Sequence, residues 1–371
     1  SFSVGAALGP LAGGVLLELF WWGSVFLLAV PVMALLLVLG PMLLPEFRDP
    51  EAGRLDLVSA GLSLAALLSV IFGLKRLAED GAGWLPALAI AGGLALGFVF
   101  ARRQRQLEDP LIDLRLFRVP AFGAALAANT LGIFVAFGIF LFIAQYLQLV
   151  LGLSPLEAGL WTVPSAGGFV VGSMAAPLLV RRASPGLVIA GGLALAAAGL
   201  ALLALVEAGS GLALVVVASI VIGVGVAPAV TLGTDLIVGT APPERAGSAS
   251  GLSETGAELG GALGIAILGS IGTVVYRGEL AEGVPAGVPP AEAASARDTL
   301  GGAVDAAARL PDRVGGELLD VAREAFTQGM QVAAVTSAAV ALAIAAVAGV
   351  LLRRVGAPDA PPEAEAELEA A

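Results

Sequence analysis

The sequence has no cysteine and no histidine, and Lys75 is its single lysine. Without cysteine there is no disulfide framework and no thiolate nucleophile. Without histidine there is no imidazole base, and the Cys/His metal sites go with both. These absences exclude most enzyme mechanisms, and neither a metal nor a cofactor is expected. Charge is scarce as well: 13% of residues are charged, against roughly 25% in a soluble domain. Apolar residues make up 58%, above the ~45–50% of a soluble chain. That leaves too little polar sequence to clothe several water-facing cores in 371 residues. The net charge of −11 argues against nucleic acid as a partner. Gly223-Val224-Gly225 lacks the preceding strand and the third glycine of a dinucleotide site, and no Walker pattern occurs.

What is present is long apolar helix. A bilayer core ~30 Å thick takes about 20 apolar residues to cross. Ten stretches reach or approach that length, at 1–19, 23–44, 57–77, 84–101, 122–147, 158–180, 187–206, 212–238, 249–275 and 326–352. They lack period-2 alternation and exceed the length of a barrel strand, so helices are expected. Phe20–Trp22 and Trp84 sit where interface aromatics belong. Ser154 before Pro155 reads as a helix N-cap. The segment 102–120 is basic and amphipathic, suited to a helix along the membrane surface. The long connection 276–325 is rich in Pro and Gly first and helix-prone from 291 onwards; the acidic, Pro/Ala-rich tail 355–371 is expected to be disordered. Threading ten spans gathers Arg48, Arg54, Arg102, Arg103, Arg105, Arg115, Arg118, Arg181, Arg182, Arg245, Arg353 and Arg354 on one face, which the positive-inside rule makes cytoplasmic. The tail after Arg354 is then inside, and 276–325 outside.

The opening residues Gly5, Gly9, Pro10, Gly13 and Gly14 put a GxxxG face, a bend and a smooth surface on one helix. From spacing alone this is also a plain packing face. The stretch resembles the antiporter motif of the major facilitator superfamily, carried on that family's fifth helix. Further landmarks follow in register: Trp22-Gly23-Ser24-Val25-Phe26 with Pro31, Arg54-Leu55-Asp56, Pro110-Leu111-Ile112-Asp113 with Leu116-Phe117-Arg118, Tyr146-Leu147-Gln148 with Leu151-Gly152-Leu153-Ser154-Pro155, Gly247-Ser248-Ala249-Ser250-Gly251, and Leu259-Gly260-Gly261-Ala262-Leu263-Gly264. Together they resemble the fourteen-helix drug:proton antiporters, the quaternary-ammonium and methyl-viologen exporters among them. The resemblance implies that four helices and part of a fifth precede Ser1, including that family's helix-one carboxylate and its gating motif after helix two.

Charged groups inside a bilayer are functional candidates by default. Glu254 and Glu258 are four apart and share one helix face. With the helix entering near Ala246, a rise of ~1.5 Å per residue places Glu254 about 12 Å and Glu258 about 18 Å in. The second lies near the midplane, where transporters bind their cargo. Holding a proton and holding a cation are alternatives for two carboxyls this close. The exporters that this chain resembles carry acids at the same spacing on their thirteenth helix, which implies a proton-coupling role for Glu254 and Glu258. The competing reading pairs Glu254 with Arg245. Asn129, Phe137, Gln145, Trp161 and Phe169 are candidate cavity-lining residues, with Phe134 and Phe140 beside them, since aromatic faces favour cations. Asp235 falls within a turn or two of a span end, and Asp56 and Glu18 at span ends, the usual places for structural carboxylates.

The expected fold is all-α: a polytopic membrane protein of about ten transmembrane helices, with the major-facilitator fold lacking its first four helices. The divisions are 1–44, the end of an N-terminal bundle; 45–118, two linker helices plus a cytoplasmic amphipathic segment; 119–275, a C-terminal bundle of five helices; 276–325, an extracytoplasmic loop; 326–354, the last membrane helix; and 355–371, the tail. The expected function is proton-coupled efflux of hydrophobic, cationic drugs across a bacterial inner membrane, with lipid, protons and the small-molecule substrate as partners. The alternative is a truncated, non-transporting membrane scaffold that needs the missing helices.

Overall fold

Proline decides where many of these helices begin. Pro120, Pro155, Pro185 and Pro290 each occupy a first turn, where the missing N–H costs nothing and φ is already helical. The computed structural model describes residues 2–43, 56–81, 83–107, 110–209, 211–242 and 246–353, and all regular structure among them is helical. The helices are α1 (Phe2–Leu19), α2 (Ser24–Leu27), α3 (Ala29–Leu43), α4 (Leu57–Asp80), α5 (Trp84–Gln104), α6 (Pro120–Gln145), α7 (Pro155–Val180), α8 (Pro185–Leu203), α9 (Leu212–Gly239), α10 (Ala246–Gly283), α11 (Pro290–Asp298), α12 (Leu300–Ala307) and α13 (Asp312–Leu351). Among the described residues nine helical stretches are long and apolar enough to cross a membrane, and α1 contributes a further, shorter apolar stretch, Gly9–Leu19. The protein is a multi-pass membrane protein.

Helices α6 to α10 with α13 pack into one bundle, α4 and α5 form a hairpin held to α10, and α1 rests on α7. Helix α3 buries none of its side chains. The bundle has two apolar cores. One, around Tyr146, Leu200, Ile222 and Leu268, lies toward the end where α11 and α12 sit; the other, around Phe122, Ile189, Ile237 and Leu352, lies toward the opposite end. Lipid is as apolar as leucine, so close packing rather than hydrophobic burial brings such helices together. Glycine permits that approach where α6 meets α10. A Cβ at Gly256 would lie 2.6 Å from Thr130 Oγ1, and Cβ atoms at Gly260 and Gly264 would collide with the carbonyl oxygens of Thr130 and Phe134.

The cap expected at Ser154 is a full capping box. Ser154 Oγ accepts from the Glu157 backbone N–H at 3.2 Å, and Glu157 Oε2 accepts from the Ser154 N–H at 2.9 Å. Before it, α6 ends in a π-turn over Tyr146–Val150, and Gly152 takes φ 71° to reverse the chain. Two expectations need correcting. Among its described residues the segment 102–120 forms no helix along the surface: Arg102 and Arg103 close α5, and a single 3₁₀ turn, Leu116–Arg118, leads into α6. A buried polar knot prevents a regular helix there. Gln104 donates to Ser59 Oγ at 2.7 Å and accepts from the Ile112 N–H at 3.1 Å, while buried Asp113 accepts from the Arg115 N–H at 2.9 Å. Secondly, the connection 276–325, helical from Pro290 as expected, also opens as helix rather than as a Pro/Gly-rich loop. Helix α10 continues to Gly283, α13 starts at Asp312, and α11 and α12 bury Ala296, Leu300, Ala303 and Ala306 against them. The tail 355–371, the linker 45–55 and Arg245 lie outside the described residues, and with them the expected disorder, the Arg54-Leu55 landmark and the Glu254–Arg245 pair.

Tyr276 secures this folded connection, donating its hydroxyl to the Ala296 carbonyl at 2.7 Å while its ring is buried. Tyr276→Phe leaves that carbonyl unsatisfied and is expected to cost about 1–2 kcal/mol. Faster amide exchange confined to α11 and its flanks would confirm it; uniform exchange across the chain would not.

Asp56, at the opposite end, caps α4. It accepts from Val58 and Ser59 backbone N–H groups at 3.1 and 3.2 Å and from Ser59 Oγ at 2.6 Å, and its Oδ2 pairs with Arg103 Nη2 at 3.0 Å. The Ser59 hydroxyl first, then the Ser59 N–H and the Arg103 guanidinium, pull its carboxyl down from 3.8 to about 2. A depressed carboxyl stabilises the fold above its unfolded value and loses that contribution as pH falls through its folded value. Asp56→Asn is therefore expected to lower the thermal midpoint of the solubilised protein at neutral pH. The gap to wild type should close between about pH 4 and about pH 2. A gap independent of pH would remove the carboxylate as its cause.

Candidate functional site

Helices α6, α7 and α9 border two adjoining, half-open spaces, the first completed by α10 and the second by α1. The first is an open cleft of about 730 Å³ lined by Asn129, Ile133 and Phe137 of α6, Phe169 and Ser173 of α7, Val230, Thr231, Thr234 and Asp235 of α9, and Ser253, Glu254, Ala257, Glu258, Gly261, Ala262 and Ile265 of α10. Glu254 and Glu258 thus share one wall, as their spacing requires, and both are exposed to the cleft. Neither makes a hydrogen bond or ion pair with another described residue, and no Lys or Arg is among the described residues that line the space. The helix shows its carboxylates to the cleft and its glycines to α6, because Glu254 and Glu258 alternate with Gly256 and Gly260 along α10.

The cleft also holds a third acid. Asp235 faces Glu254 and Glu258 from α9, and with Thr231 and Thr234 it makes a polar stripe at i, i+3 and i+4 along an otherwise apolar span. That stripe is readable in the sequence; judging Asp235 by its nearness to a helix end hides it. Asn129 lies in the wall, 1% exposed, donating to Ser253 Oγ at 3.2 Å while its Oδ1 has no protein partner among the described residues. Ser173 Oγ accepts from Thr231 Oγ1 at 3.0 Å across the α7–α9 contact.

The second space is a chamber of about 460 Å³, mostly apolar, whose walls include Phe137 and Phe140 of α6, Thr162 and Phe169 of α7, and Pro10, Gly13 and Gly14 of α1. The opening motif therefore has two faces. A Cβ at Gly14 would lie 2.9 Å from Leu156 Cα, and the Pro10 carbonyl lies where a Cβ on Gly159 would approach to 2.7 Å, so this half of the motif seats α1 on α7. Gly5 and Gly9 face open space, where an added Cβ meets nothing within 4 Å. Of the expected lining residues, Asn129, Phe137 and Phe169 are brought together. Gln145 and Trp161 line neither space: each lies off the helix face that carries the lining residues of α6 and α7. Phe134 is buried in the core, and Phe140 does line the chamber. Volumes of a few hundred Å³ suit small organic molecules.

A multi-pass helical bundle with a carboxylate-bearing cleft opening beside an apolar chamber is the architecture of a membrane transporter. Residues 1–265 match the Major Facilitator Superfamily profile, and the chain belongs to that superfamily. It is similar to the multidrug efflux pump LfrA of Mycolicibacterium smegmatis, 42% identical over 353 residues, covering 95% of this chain and 70% of that protein. It is also similar to the tetracenomycin C resistance and export protein of Streptomyces glaucescens, at 35% identity over 95% of this chain and 66% of that protein. The methyl viologen resistance protein SmvA of Salmonella typhimurium is 34% identical over 92% of this chain and 69% of its own length. The chain thus spans about two thirds of the length of these relatives.

Proposed function

We propose that this chain forms the greater part of a proton-coupled exporter of hydrophobic, cationic drugs in a bacterial cell membrane, with Glu254 and Glu258 exchanging protons for the cargo's positive charge. One observation carries the reading: three carboxylates, with no Lys or Arg among the described lining residues, share a cleft with the aromatic rings of Phe137 and Phe169. An organic cation is the natural counter-ion for such a cleft, and the rings give its apolar body a favourable face. Proton and cation compete for the same oxygens, so loading one releases the other. The relatives' names, which speak of drug efflux, export or resistance, support a drug as the cargo. Helix ends carrying Arg102, Arg103, Arg105, Arg115, Arg118, Arg181 and Arg182 are assigned to the cytoplasm, with the C-terminal tail, so the carboxylate cleft opens inward and α11 and α12 lie outside.

The test uses the protein expressed from its native reading frame and reconstituted in proteoliposomes. A fluorescent lipophilic cation should accumulate against its gradient when a pH gradient is imposed and leak back when a protonophore is added. Adding cation to the detergent-solubilised protein should release protons into a weakly buffered solution. Accumulation that persists without a proton gradient would overturn the coupling; no accumulation under any gradient would favour the non-transporting scaffold.

A further inference from the structure

The cleft and the chamber share two lining residues, Phe137 and Phe169. Everything else differs across that boundary. On one side stand Asp235, Glu254 and Glu258; on the other, Pro10, Ala136, Phe140 and Val226 make an oily space. The Phe137 ring is 50% exposed, so it is a wall of both spaces and not part of the packed core. Its place is set by Gly261, where a Cβ would come within 3.3 Å of Cδ1 and 3.4 Å of Cγ of the ring. Because Gly261 sits one turn beyond Glu258 on the same face of α10, the ring touches α10 next to the carboxylate pair.

We propose that Phe137 and Phe169 form the passage through which an organic cation moves from the carboxylate cleft into the apolar chamber, and that the seat of the Phe137 ring on Gly261 sets the largest cation that passes. The inference rests on the cleft being the cargo site. An aromatic pair suits this place for two reasons. A cation leaving a carboxylate loses its counter-ion, and a ring face offers the next favourable contact without a fixed charge that would trap it. A ring also yields by rotating about two side-chain bonds, so the opening is graded by the size of what pushes through. Gly261 sets the rest position: with no side chain there, the ring lies against α10 and the passage is at its widest.

The two ends of this device predict opposite effects. Phe137→Ala and Phe169→Ala remove the barrier and admit larger ions. Gly261→Ala adds a methyl group that pushes the Phe137 ring off α10 by a few tenths of an ångström, into the passage, and admits only smaller ones. The probes are tetraalkylammonium ions from tetramethyl to tetrapentyl, which have fixed charge and no hydrogen-bond donor and differ only in girth. The reading is the concentration of each that halves export of a fluorescent cation by cells expressing the native reading frame, with protein abundance measured alongside. The preference for the largest over the smallest competitor should rise by about tenfold in Phe137→Ala and fall by a similar factor in Gly261→Ala, the scale that methylene-sized changes produce in apolar sites. Equal changes for every ion, shifts in the same direction in both variants, or competition by no member of the series would each overturn the passage. Glu258→Gln separates this from the coupling role: normal dye export in that variant would refute coupling, while opposite size shifts at Phe137 and Gly261 would still stand.

Discussion

Glu254→Gln and Glu258→Gln are each expected to abolish uphill export while leaving the protein folded and abundant. Gln preserves the size and planarity of the side chain and removes only the exchangeable charge. Neither glutamate makes a hydrogen bond or an ion pair with another described residue, so little in the packing depends on either. The structural cost of the change should therefore be small, as for most exposed substitutions, within about ±0.5 kcal/mol. Loss of function would then not follow from loss of protein, which separates this prediction from an ordinary destabilising mutation. The gain at stake is large: each tenfold proton gradient coupled to export is worth about 1.4 kcal/mol and sustains a tenfold cargo gradient. With one carboxyl removed, the steady-state ratio of external to internal dye should fall by at least about tenfold and stop responding to external pH. Asp235→Asn is the internal comparison, since Asp235 lines the same cleft from α9. Unaltered, pH-responsive export in both glutamate variants, with collapse in Asp235→Asn, would move the exchange site from α10 to α9.

The position of each span was legible because apolar length is a one-dimensional signal. The helices α4, α5, α7, α8 and α9 begin and end within a few residues of the stretches read from hydropathy. The phase of each helix about its axis was much less legible. In water, the polar face of a helix marks its outside; in a bilayer the outer face is as apolar as the core, and that marker disappears. Hence hydropathy does not separate Phe137 and Phe169, which border the two spaces, from Trp161 and Gln145, one residue off the lining faces of α7 and α6. Glu254 and Glu258 escaped this difficulty because a charged pair at helical spacing carries its own phase. Helix α10's run past Tyr276, and the packing of α11 and α12 beneath it, depend on contacts such as Tyr276 to Ala296, between residues that hydropathy treats as unrelated. The knot of Ser59, Gln104 and Ile112 that prevents a surface helix is likewise a tertiary fact, joining residues on opposite arms of the α4–α5 hairpin and the loop beyond it.

Gly260→Ala is expected to be among the most damaging single-methyl changes in the protein. The new Cβ would collide with the Thr130 carbonyl oxygen, and backbone cannot swing aside as a side chain can. Either α6 and α10 separate along the whole Gly256–Gly264 stretch or both bend. Overpacking of this kind typically costs about 1–3 kcal/mol, and a backbone partner puts the change toward the upper part of that range. Gly251→Ala, on the same helix, is the matched control. Its added Cβ meets nothing within 4 Å, so the general preference of a helix for alanine should make it neutral or stabilising by up to about 1 kcal/mol. Thermal unfolding of both variants in the same detergent tests the prediction, and equal midpoints would show that the two helices do not depend on this contact. The control also isolates a functional consequence. Gly260 lies between Glu258 and Gly261, so any shift of α10 away from α6 carries the carboxylates and the seat of Phe137 with it. Whatever Gly260→Ala protein remains folded should export poorly even after correction for abundance. Gly251→Ala, which leaves the helix where it is, should export normally.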